Sequence, residues 1–213
     1  MHIQDLYKQL QVPFPIQEHM IDVASVTAMI CDHRQGEELD KELLLTTALV
    51  HDLGNLVKVD FSFGWERYQQ NLEYRQQVKT SLIEKYWTDC DTVTVWLLRT
   101  LWQFPQIEWL LACMGVENNV WVDLWVHARI IDYADTRVSI VWICSLDERL
   151  YDLQRRYAHK PRAHGTQWDA LRNDAHHVES YIFAQSSLKP STITHASTRT
   201  YAEQLWNYDV VLR

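Results

Sequence analysis

Three segments far apart in the sequence each set an ionisable side chain on an otherwise apolar helical stripe, and any fold must dispose of all three. From Gln17 to Cys31 the residues His19, Val23, Val26 and Ile30 recur at +4, +7 and +11, which is one face of a helix. Asp40 stands where it can cap a second helix whose face carries Leu44, Ala48 and His51, with Gly54 as its stop. His51 and its neighbour Asp52 therefore fall on the last turn of an apolar helix. A third helix, capped by Asn118 or Asn119, contains WVDLWVHARIIDYADTRVS, and on it Leu124, Ala128, Ile131 and Asp135 share a face. Ionisable groups on a core-facing stripe are costly unless they are paired or bind a metal.

The remainder of the chain is patterned for helices as well. Helical spacing runs through Glu66–Trp87, Asp91–Leu101 and from Gln106 to a stop at Gly115, while FSFGW (61–65) reads as a loop. Ser145 and Glu148 form an S-x-x-E capping box that opens a helix through Tyr157. Pro161 and Gly165 interrupt the chain before a helix over Gln167–Phe183. The stretch SSLKPSTIT (186–194) is the best linker candidate, and Thr200 with Glu203 gives a capping box for a last helix. Only five glycines and five prolines occur in 213 residues, too few for the many turns of a strand-rich fold. There is no internal repeat. The expectation is an all-α fold.

Composition narrows the function. A net charge of −8 is the wrong sign for a general nucleic-acid binder and argues against long nucleic acid as a partner. No apolar run reaches the roughly 18–20 residues of a membrane span, so no membrane is expected. The opening residues MHIQDLYKQL carry acids and amides, unlike a secretion signal. Cysteines at 31, 90, 113 and 144 lack CxxC spacing and read as reduced, mostly buried thiols, which points to the cytoplasm. Ten tryptophans and ten tyrosines supply large burial areas. An oligomer interface is one outlet for the tryptophan-rich stretches, and burial in the core is another.

His19, His51, Asp52 and Asp135 together make two imidazoles and two carboxylates, a mixed N/O set suited to a borderline divalent ion. Their two negative charges balance the ion's two positive ones, and four protein ligands leave positions for water and substrate if the ion is five- or six-coordinate. Each residue also has a plainer reading. His19 alone is more often a satisfied core histidine, and Asp52 alone can terminate its helix. Asp132, about 300° around the helix from Asp135, competes for the same cavity. His127 lies about 12 Å from Asp135 along the same helix, too far for a shared ion. His33, His159, His164, His176 and His177 read as loop or surface residues.

The set resembles a known family. His19 ahead of Val23, then LLTTALVHDLGN (44–55), then IIDYADTRV (130–138) look like the H…HD…D signature of the HD superfamily of metal-dependent phosphohydrolases. The likeness spans about residues 14–158, and YADTRVSIVWICSLDERLYDLQRRY resembles a bacterial HD subgroup of unassigned role. It implies an HD-type helical bundle over 1–158, with 159–213 as a C-terminal helical extension on or beside that core. It also implies His19, His51, Asp52 and Asp135 as ligands of one divalent ion (Mn, Co, Fe, Zn, Ni or Mg). HD proteins with two metals carry extra histidines between the HD pair and the last Asp, where this chain has only His127.

The activity implied is hydrolysis of a small phosphorylated metabolite by metal-activated water, with phosphomonoesters ahead of phosphodiesters and a nucleoside monophosphate as the first guess. Asp52 belongs to the catalytic centre as well as the ligand set. Lys58 and Arg137, the cations nearest the signature in sequence, are candidates to offset phosphoryl charge. An ion pair within the fold is the other reading of Arg137, and a solvated charge that of Lys58. Some HD nucleotidases place a glutamate three residues after the HD aspartate, and here that position is Asn55. An amide orients water or phosphate but accepts no proton at neutral pH. Glu18, Asp60 and Glu66 are then candidate proton acceptors. A non-enzymatic nucleotide or metal sensor and a helical interaction protein are the alternative functions.

Overall fold

The long helix α2 (Phe14–His33) runs through the core because from Met20 to Cys31 every side chain but Asp22 is small or apolar. Pro13 holds the extended entry and Pro15 occupies the first turn, where a missing N–H costs nothing. Its buried Ser25 and Thr27 return their hydroxyls to the carbonyls of Ile21 and Val23, so neither leaves a polar group unmade. The computed structural model describes residues 1–59, 61, 72–87, 89–101, 105–114, 125–139, 142–159 and 164–210.

The other helices include α1 (Ile3–Gln9), α3 (Lys41–Val50), α4 (Leu72–Tyr86), α5 (Cys90–Leu101) and α6 (Pro105–Cys113). The set is completed by α7 (Val126–Arg137), α8 (Leu146–Arg156), α9 (Gly165–Ala184) and α10 (His195–Leu205). Short 3-10 turns cover Leu53–Lys58 and Pro190–Thr192. Among the described residues there is no strand, only three isolated bridges, and the fold is all-α. α2 packs on α3, α7 and α10, and one hydrophobic core runs from Ile3 to Val210. No described helix is long and apolar enough to cross a membrane.

Local chemistry explains the element ends. The Asp40 carboxylate accepts from Leu43 N–H at 2.9 Å and starts α3, and Ser145 with Glu148 forms the expected capping box of α8. The last helix departs from the sequence reading. Thr194 is its N-cap, paired with Ser197, while Thr200 lies inside the helix and Glu203 pairs with Arg199. A serine hydroxyl fills the place where a glutamate was sought. Nor is 186–194 a free linker. Ser187 N–H donates to His33 O, Leu188 and Ile193 are buried, and the Arg137 guanidinium holds the carbonyls of Pro190 and Ile193. α1, absent from the sequence reading, is fastened by the buried Tyr7 hydroxyl, which donates to Leu49 O at 2.7 Å.

Gly54 does not simply stop α3. The helix ends at Val50, and Gly54 sits within the following 3-10 turn, where a Cβ would come within 2.1 Å of the Cys90 carbonyl oxygen. Its own N–H donates to Thr94 Oγ1 at 2.9 Å. Glycine is required here for close approach of α5. Gly165, likewise, opens α9 at a positive φ of 58° rather than breaking the chain. The expected caps Asn118 and Asn119, with Leu124, Gly115, Pro161, Asp60, Glu66 and the rest of 62–71, lie outside the described residues.

Candidate metal centre

α2, the end of α3 and the last turn of α7 converge and bring together the four signature residues. His19 Nε2 lies 3.0 Å from Asp135 Oδ1 and 3.5 Å from Asp52 Oδ2. His51 Nε2 lies 3.5 Å from Asp135 Oδ1 and 3.7 Å from Asp52 Oδ1. Ligand atoms of His19, His51 and Asp135 all fall within 4.8 Å of one another. The cluster takes Asp135 and leaves out the buried Asp132. Asp52 does not act as a helix cap, since its side chain makes no capping bond to the 3-10 turn it precedes.

The donor set fits a cation on two grounds. Metal–ligand bonds of about 2.0–2.2 Å put neighbouring ligands about 3–3.5 Å apart, close to the 3.0–3.7 Å between these imidazoles and carboxylates. The second ground is His51, whose side chain is only 3% exposed. Its Nδ1 lies 2.8 Å from the Ala48 carbonyl, which can only accept, so Nδ1 carries the proton. In the neutral ring Nε2 is then a bare lone pair, buried and without a hydrogen-bond partner. Such an orphan destabilises the fold unless something else occupies it. His19, His51 and Asp135 could hold a metal ion.

With no ion bound, the surrounding carboxylates favour the protonated His51, so the bare Nε2 is the state that an ion would select. Burial would raise the Asp135 pKa, but the His19 hydrogen bond and the imidazoles of His19 and His51 beside it hold it well below the ordinary carboxylate range. Burial would lower the pKa of His51, yet the Asp52 carboxylate, then Asp135 and Ala48, outweigh it and push His51 up to about 9.

His51, Asp52 and Asp135 line a cavity of about 520 Å³ whose far wall comes from α4, α5 and α6. A larger depression of about 840 Å³ reaches the cluster only through His19. The smaller cavity is therefore the one the cluster opens onto. Its wall includes Tyr86, Trp96 and Arg99, which sequence reasoning missed. A signal was present on α5, where Asp91, Val95 and Arg99, and Thr92 and Trp96, repeat every four residues.

The remaining candidates fall elsewhere. Arg137 is 2% exposed, and its guanidinium is committed to Cys144 O, the Tyr133 hydroxyl and the carbonyls of Pro190 and Ile193, with Glu179 at 3.8 Å. That network accords with the other reading of Arg137, an ion pair within the fold. Lys58 is exposed beside Cys90; burial lowers its pKa, but Cys90, Asp91 and Asp52 more than compensate and raise it. Asn55 is half-buried on the 3-10 turn, and its N–H donates to Asp52 O. Glu18 faces the larger depression. His127 is buried beneath Trp125, with ring centroids 3.7 Å apart, and its Nε2 accepts from the Asp40 N–H. It ties α7 to the start of α3.

A helical fold with a His–His–Asp cluster at the meeting of three helices defines a class, the all-α proteins with an internal cluster that could hold a metal ion. Residues 16–77 match the HD domain family model, which supports membership of the HD superfamily of metal-dependent phosphohydrolases. The match spans His19, His51 and Asp52, and Asp135 lies beyond it. No curated protein and no solved structure gave a significant match.

Proposed function

We propose that the chain is a phosphohydrolase that uses one divalent ion on a small phosphorylated metabolite, with a nucleoside monophosphate as the first substrate to test. The observation that carries this reading is the buried, unpartnered His51 Nε2 beside His19 and Asp135, at the edge of a 520 Å³ cavity. His19, His51, Asp52 and Asp135 hold the ion in this reading. When bound, it supplies Lewis acidity toward a phosphoryl oxygen and acidifies water for attack.

The chain's own residues orient and neutralise. Ala48 fixes the His51 tautomer through its carbonyl. Lys58, whose raised pKa keeps it charged, offsets phosphoryl charge from the Asp52 side. Asn55 orients water or phosphate without taking up a proton. A cavity of this volume is in the range for ligands of mononucleotide size, which favours monoesters over polymeric diesters. The four cysteine sulfurs are unpaired, in keeping with a cytoplasmic setting.

The test is metal analysis of the purified protein beside phosphate release from a panel of nucleotides and sugar phosphates, each with Mn, Co, Mg, Fe or Zn. Metal-dependent release supports the hydrolase. Tight metal or nucleotide binding with no turnover on any substrate replaces it with a sensor. No bound metal, and no effect of His51→Ala on anything but stability, replaces it with a helical interaction protein.

A further inference from the structure

The wall of the cavity opposite the metal cluster differs from the cluster in chemistry. Asp52, His51 and Asp135 make one side polar. Facing them, Tyr86 ends α4, Val95 and Trp96 come from α5, Leu111 lies on α6 and Met114 just after it, and Arg99 stands at the exposed rim. Asp91, Thr92 and Thr94 also line this side, but its cation, Arg99, is held by Glu108, so the aromatic and apolar part offers little grip for a phosphate. It suits the part of the molecule to which the phosphate is attached.

Two observations narrow what that part is. Tyr86 and Trp96 are in ring contact, with centroids 4.6 Å apart and planes tilted by 36°. Lys85 Nζ sits over the same pair, 4.3 Å from the Trp96 centroid and 5.1 Å from that of Tyr86. The three side chains thus brace one another into an aromatic corner, a surface on which a flat ring gains stacking and edge contacts. The second observation is the Tyr86 hydroxyl, which is buried and makes no hydrogen bond. A buried O–H without a partner is costly, and an aliphatic ligand would leave it so. A ring nitrogen or exocyclic oxygen would satisfy it.

We infer that the Tyr86–Trp96 corner is the leaving-group subsite of this cavity and takes the nitrogen heterocycle of a phosphorylated nucleoside. This rests on the hydrolase reading of the same site. Trp96 supplies the stacking surface, Tyr86 selects a ring that can hydrogen-bond its hydroxyl, and Leu111 and Met114 close the apolar side. Arg99, held by Glu108 through hydrogen bonds of 2.7–3.1 Å, stands at the rim.

Two measurements on the metal-loaded full chain test this. The first compares kcat/KM for nucleoside monophosphates with that for ribose 5-phosphate, which keeps the ester and lacks the ring. The wild-type protein is expected to favour the nucleotides by about tenfold or more, the scale of one base–aromatic stack. Trp96→Leu should collapse that ratio through the nucleotide KM, and Tyr86→Phe, which removes only one oxygen and leaves the fold intact, should lower it less and unequally among bases. Equal handling of both substrate classes by the wild type, or equal losses on both in the variants, overturns the subsite and leaves the hydrolase standing. The second measurement is calorimetric binding of unphosphorylated nucleosides. If no ester is turned over, nucleoside binding that is lost in Trp96→Leu and weakened in Tyr86→Phe upholds the subsite while the hydrolase fails. Absence of nucleoside binding in that case overturns both.

Discussion

The Nδ1–H of His51 donates to the carbonyl oxygen of Ala48, three residues earlier on α3, at 2.8 Å. One backbone carbonyl at a helix end thereby decides which nitrogen of His51 faces His19 and Asp135. The same carbonyl would otherwise be among the unsatisfied acceptors of the helix C-terminus. Helix termination and ligand orientation are one event here.

Removing that imidazole should therefore remove the metal. His51→Ala is expected to lower affinity for the divalent ion by at least about 100-fold, more than the loss of a supporting hydrogen bond usually costs. Metal content after dialysis against a competing chelator measures it. Retention of a stoichiometric ion by the variant would show that His51 is not a ligand.

The metal-free protein should lose stability as pH rises from about 6.5 to about 9. His51 is raised from an ordinary value near 6.5 to about 9 in the folded state, so its contribution is full below 6.5 and gone above 9. The size is about 3 kcal/mol, from 1.36 kcal/mol per pKa unit. Asp135 acts in the opposite sense, its pKa being lowered, and its contribution fails only as pH falls below the ordinary carboxylate range. Metal affinity should climb across the same alkaline window, because the proton on His51 has to leave before the ion binds. Urea melts of chelated protein at several pH values check the slope, and His51→Gln should flatten it.

How far the site could be read beforehand depends on whether a residue's neighbours are close in sequence. His19, His51 and Asp135 declared themselves because each breaks an apolar stripe on its own helix, and the stripes alone imply convergence. The direction of Arg137 was not legible. Its partners Cys144, Tyr133, Pro190 and Ile193 include a segment more than fifty residues away that reads as a linker. The Tyr86–Trp96 corner was hidden for the same reason, since aromatics on two helices look like core until the cavity between them is known. α1 escaped because seven residues carry too little periodicity. It persists through Ile3, Leu6 and Tyr7, all buried against the rest of the fold.

Arg137 should matter for stability and not for chemistry. Arg137→Met leaves Glu179 without its ion pair, and removes a donor from the carbonyls of Cys144, Pro190 and Ile193 and from the Tyr133 hydroxyl. Breaking a buried charged network of this kind costs about 3–5 kcal/mol. The midpoint of urea unfolding should shift accordingly, while metal content per folded molecule stays that of the wild type. A variant of normal stability that has lost its metal would contradict the geometry.

Gly54→Ala tests whether the turn after the HD pair and helix α5 are one rigid unit. The new methyl would stand 2.1 Å from the Cys90 carbonyl and 2.7 Å from Thr94 N and Oγ1, all on α5 and two of them backbone atoms. No side-chain rotation relieves such a contact, so α5 or the turn has to move. The expected destabilisation is about 3 kcal/mol or more, in the class of substitutions that overpack a backbone crossing. The displacement would also carry Trp96 and Arg99 relative to Asp52, because they ride on α5 and line the same cavity. Thermal unfolding measures the first effect, and the second appears as a nucleotide KM that rises even where the variant still binds its metal. If Gly54→Ala is as stable as the parent, the backbone approach between Gly54 and Cys90 is looser than described, and the positioning of the far wall by the HD turn falls with it.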